Sequence, residues 1–156
     1  MMTAFGVQFT FDDFGRFQEL ATLIAELKRD KDADGFRDPQ LWLPPVPDAI
    51  KARFNWPTQQ EREQWLGIRG STVIMFPDAD QMLGQRWDFY RVFESVEEGD
   101  YAIHGCERVR EGVGEIRINP NAYPYGGLGP FIALAEAFGF KVLGVNECGR
   151  FAACKQ

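Results

Sequence analysis

The sequence predicts an α+β fold, a mainly antiparallel sheet packed against an N-terminal helix and a C-terminal helix, in a single globular domain over residues 1–156. Three observations predict it. Phe5, Val7, Phe9 and Phe11 alternate with Gly6, Gln8 and Thr10, the period-two pattern of a strand with one buried face. Directly after it, Phe14, Phe17, Leu20, Ala21, Ile24 and Leu27 recur at helical spacing and form one apolar side. Near the other end, Ile116 to Val145 reads as strand, Pro/Tyr/Gly-rich loop, helix and strand. Between them lie short strands separated by turn residues rather than a βαβ series, so the pairing is expected to be antiparallel.

In chain order, Thr10 or Asp12 is placed to cap the first helix, and Asp12 and Asp13 complement its positive end. Lys28 and Arg29 sit near its negative end, and the pattern breaks over Lys31 to Gly35. Phe36 to Pro47 carries four prolines around Leu41-Trp42-Leu43, which reads as an ordered loop pinned by Trp42. Asp48 to Phe54 is expected to be a short helix. Thr58 to Leu66 is expected to be a second one, with Thr58 and Glu61 as a capping box. Ser71 to Phe76 is a short apolar strand ended by Pro77-Asp78, and residues 79 to 85 suit a helical turn.

Trp87, Phe89 and Phe93 share one phase of a further strand that also holds Tyr90 and Val92. Tyr101 to Arg110 and Gly114 to Ile118 form a hairpin joined through Glu111-Gly112-Val113. Asn119-Pro120-Asn121 stops that strand, because proline brings no N–H to the ladder. Pro130 suits the first turn of the last helix, where an N–H would be unpaired anyway. Phe131, Leu134, Ala135 and Phe138 make its apolar face, and Gly139 supplies a left-handed stop. Phe140 to Val145 is an interior strand, and Arg150 to Cys154 pairs with it through the Asn146–Gly149 turn.

Composition narrows the function. Hydrophobic residues make up 45% of the 156 and charged residues 26%, which suits a folded chain with a core of its own. Seventeen Lys and Arg against 23 Asp and Glu give a net charge of −6. That balance argues against nucleic acid and anionic membrane surfaces, both of which bind basic patches, and favours a protein partner with a basic surface. Neither a signal peptide nor a transmembrane-length apolar run is visible, and three cysteines do not make a disulfide framework. A cytoplasmic, reducing location is therefore expected.

Sites of chemistry are thinly supplied. The glycines of Tyr123–Gly129 fall as Gly126, Gly127 and Gly129, matching neither a dinucleotide nor a phosphate-loop pattern, and Pro130 removes a donor an anion would use. Asp78 and Asp80 follow a strand but have no histidine near them to complete a metal site. His104 and Cys106 stand on the same side of a strand as neighbours, whereas a nucleophile and its base usually converge from separate elements. No cofactor, metal or catalytic residue is assigned, and a non-enzymatic role is favoured.

One charge feature stands apart. Glu94, Glu97, Glu98, Asp100, Glu107, Glu111 and Glu115 face only Arg108 and Arg110, so seven acids against two arginines leave −5 in this segment. The structural explanation is a solvated sheet edge whose charges deter aggregation. The functional one is an acidic surface that steers a basic partner. The expected function is therefore an intracellular acidic protein-binding module. Its contacts would come from Glu94, Glu97, Glu98, Asp100, Glu107 and Glu111, with Tyr123 and Tyr125 as aromatic anchors. In size and charge the chain resembles bacterial immunity proteins that neutralise a cognate toxin, and acidic secretion chaperones, a likeness of class only. The alternatives are a small enzyme or ligand-binding domain with a pocket under Tyr123, Tyr125, Gly126, Gly127 and Gly129, and an assembly subunit.

Overall fold

The structure, a computed structural model, describes residues 5–54, 56, 87–121, 127–147 and 150–153. The alternating segment forms β1 (Phe5–Thr10), and the next residues wind into α1 (Phe14–Asp32). A 3-10 turn (Pro39–Trp42) and α2 (Asp48–Lys51) follow. Next come α3 (Phe89–Glu98), β2 (Tyr101–Arg110), β3 (Val113–Pro120), α4 (Gly129–Ala137), β4 (Lys141–Glu147) and β5 (Arg150–Ala153). The five strands make one antiparallel sheet in the order β2-β3-β1-β4-β5, so the first strand in sequence lies at the centre. This is the expected α+β class.

The sheet's pleat sorts the side chains. Phe5, Val7 and Phe9 of β1 share one face with Ile116 and Ile118 of β3 and with Ile103 of β2, and all are buried. Helix α1 lies across β2, and α4 packs on β4 and β1. Helix α3 rests on α4 and the 3-10 turn, where Phe93 stacks on Trp42 with ring centroids 5.2 Å apart. Helix α4 ends as its sequence requires: Gly139 has φ +85°, and the Phe140 N–H reaches back to Ala135 O (3.1 Å). In the β2–β3 turn, Gly112 has φ +72°, a conformation that a side chain resists.

Several expectations are corrected. Trp87 to Phe93 does not form a strand, because α3 begins at Phe89 with Asp88 capping the Tyr90 N–H (2.9 Å). Helix α1 is capped by Asp13, not Thr10 or Asp12, its Oδ1 accepting from the Arg16 N–H (3.1 Å). His104 and Cys106 are out of phase. The register shifts between Ile103 and Gly105, so Cys106 falls opposite Ile116 on the helix side while His104 is exposed. The expected helix over Thr58 to Leu66, the strand over Ser71 to Phe76, the turn over 79 to 85 and the Asp78–Asp80 pair lie outside the described residues. So do Tyr123, Tyr125, Gly126, Cys148 and Cys154.

Candidate functional site

The acidic segment is divided by the fold. Glu94, Glu97 and Glu98 belong to α3, with Glu97 and Glu98 exposed and Glu94 half-buried. Asp100 follows, exposed, at the start of β2, and accepts a hydrogen bond from Asn121 Nδ2 (3.2 Å) across the hairpin's open end. Glu107 is exposed along β2, 3.7 Å from His104 Nε2, and Glu111 lies in the turn at the far end. A ten-residue strand spans about 30 Å, so Asp100 and Glu111 occupy opposite ends of the molecule's hairpin.

Glu115 leaves the acidic surface altogether. Its side chain is 2% exposed. It lies on the sheet face opposite the helices, where its Oε2 accepts from Gln8 Nε2 and Asn146 Nδ2 (both 2.7 Å) and its Oε1 pairs with Arg117 Nε. Gly6 makes the room: a Cβ there would come within 3.1 Å of the Glu115 Cγ. This carboxylate is a structural member of three strands, not a surface charge.

At the corner between α3 and β2, the local cation is turned inward. Lys31 of α1 reaches under the end of α3 and donates to Val96 O (2.8 Å) and Gly99 O (2.9 Å), with its ammonium 4.6 Å from the centre of the Tyr101 ring. Desolvation pulls the Lys31 pKa below its ordinary value, against the opposing pull of Asp100 and Glu97. Its ammonium is bonded to helix carbonyls and still interacts through space with Asp100 and Glu97, whose carboxylates are exposed.

The opposite end gains neighbours that no sequence spacing announces. The Phe11 N–H donates to Gly112 O (2.9 Å), which ties the chain leading into α1 to the β2–β3 turn. Residues about a hundred positions apart carry no local signal of this.

Burial, helped by Glu107, pushes the Cys106 thiol up to about 12, so it is held as an unreactive thiol at neutral pH. Among the described residues, no group of three or more His, Cys, Asp or Glu is placed to hold a metal ion, and no helix is long and apolar enough to cross a membrane. Of the Tyr123–Gly129 loop, only Gly127, with φ +81°, and the entry to α4 at Leu128–Gly129 are described. Compared with known proteins, the chain matches no protein-family model, no curated protein and no solved structure.

Proposed function

We propose that this chain is a protein-binding module that presents an acidic surface to a partner with a basic one. The observation that carries the reading is the α3–β2 corner, where Glu97, Glu98 and Asp100 are exposed and Lys31, bonded to the carbonyls of Val96 and Gly99, offsets one charge of the three. Carboxylates left outward in this way attract a basic surface at long range and speed encounter. The biological setting we favour is an immunity-type inhibitor in the cytoplasm that neutralises a cognate toxin or enzyme, on the strength of size and charge. The partner should co-purify stoichiometrically at low salt and be released by salt. Replacing Glu97→Lys and Asp100→Lys together should then slow association on the order of tenfold at low ionic strength, with little change once salt screens the field. An on-rate indifferent to both charge reversal and salt would remove the acidic corner from the function.

A further inference from the structure

We infer that the α3–β2 corner holds a site for a primary ammonium group, that the chain fills it with its own Lys31, and that a lysine of the basic partner enters by displacing it. The choice of competitor rests on the acidic-surface reading, whereas the site stands on its own geometry. Lys31 Nζ donates to Val96 O (2.8 Å) and Gly99 O (2.9 Å) and lies 3.5 Å from Glu97 O. The buried Tyr101 ring has its centre 4.6 Å from the same nitrogen. An ammonium carries three protons, and three carbonyl oxygens gathered about one point suit it. A planar guanidinium, whose donors diverge, does not converge on such a point, so lysine rather than arginine is the residue recognised.

Lys28 and Lys51 pair with Asp32 and Asp48 within their own helices. Lys31 instead joins α1 to carbonyls 65 and 68 positions further along the chain. Burial opposes the arrangement. Desolvation outweighs the pull of Asp100 and Glu97 on the Lys31 ammonium, and fixing the side chain costs rotamer freedom. The flexible stem swings into solvent by rotation of its own bonds with α1 left in place. That movement uncovers the carbonyls at a corner where Glu97, Glu98 and Asp100 are exposed. Lys31 is then an autoinhibitory contact, because the chemical group the corner recognises is supplied by the chain itself.

The test uses the full chain carrying Lys31→Ala and n-propylammonium, which supplies the atoms that the substitution removes. Followed by amide-resolved NMR at constant ionic strength, the amine should give saturable shifts at Val96–Tyr101. Half-saturation is expected on the order of 1–10 mM, the range open to so small a ligand. Amide protection lost at Val96–Gly99 should return as it binds. Neither n-propanol nor ethylguanidinium should do this, and the native chain, with its site filled, should not respond. The peptide acetyl-Gly-Lys-Gly-amide should bind the variant about tenfold more tightly than the native chain, because the tethered Lys31 no longer competes. In the native chain, where nothing is substituted, the Lys31 ε-methylene signal should lie upfield under the Tyr101 ring. A free-lysine position for that signal would overturn the site whether or not the variant folds. No saturable response of the variant, or an equal response to n-propanol or ethylguanidinium, would overturn the ammonium site while leaving the acidic-surface reading to the Glu97 and Asp100 charge reversal. Equal binding of the peptide by both chains would overturn the autoinhibition.

Discussion

Asp30, in the last turn of α1, accepts from Arg37 Nε (2.8 Å), Arg37 Nη2 (3.0 Å) and the Arg37 backbone N–H (3.1 Å). The same guanidinium lies 3.9 Å from the centre of the Trp42 ring, so one arginine ties the helix end, the following loop and the buried tryptophan together. Trp42 was legible in the sequence as the pin of a Pro-rich loop, but Arg37 as its clamp was not, because the pairing depends on where α1 stops. The Arg37 hydrogen bonds hold the Asp30 carboxyl below its ordinary value near 3.8. A depressed carboxyl pKa contributes stability that is present above the unfolded value and lost as pH falls through the folded one. Asp30→Asn should therefore cost about 2–3 kcal/mol at neutral pH, somewhat less than a fully buried pair would. The gap to the native protein should narrow as acid protonates Asp30, and denaturation curves at neutral pH and at low pH check both halves of this.

At the scale of elements, α3 shows where local reading and folding diverge. Trp87 just before it and its residues Phe89, Tyr90, Val92 and Phe93 are aromatic or β-branched, which favours strand by composition. Yet Phe89, Val92, Phe93 and Val96 also follow helical spacing, and these four are the buried residues of the helix. Packing on Trp42 and α4 decides between the two patterns, and neither contact is visible from the segment alone. The helix then ends without a basic residue in its own last turn, and Lys31 from α1 supplies the missing cation. Lys31→Met should loosen that end, at a cost of about 1–2 kcal/mol for a charged group on helix carbonyls. Amide exchange should accelerate at Val96 to Gly99 and leave the middle of α1 unchanged. Uniform exchange across both helices would show that Lys31 is no cap.

Across the whole molecule, the Glu115 network joins β1, β3 and β4 on the face away from the helices. A register slip by one residue would turn Glu115 into the core face and Ile116 out of it, so the network and the hydrophobic pattern specify the same pairing. Removing the carboxylate strands Arg117 together with the amides of Gln8 and Asn146. Glu115→Ala should accordingly destabilise by about 2–3 kcal/mol, below the figure for a fully buried pair because Arg117 is partly exposed. Glu115→Gln, which keeps an acceptor, should cost less. Equilibrium unfolding of the two variants compares them, and equal losses would mean that charge rather than shape matters at this position.

Periodicity, proline and glycine act over a few residues, so the α+β class, the presence of β1, α1 and α4, the β2–β3 and β4–β5 hairpins and the left-handed glycine after α4 were legible in the chain alone. The sequence also determined that the chain is acidic and that the acids concentrate over 94–115. Which of them share a surface follows from the fold. The fold sends Glu97 and Asp100 to one end of the hairpin, Glu111 to the turn at the other, and Glu115 into the sheet. Charge adds along a sequence, but a surface is made by strand pairing and helix packing, and these bring together residues that no local pattern links.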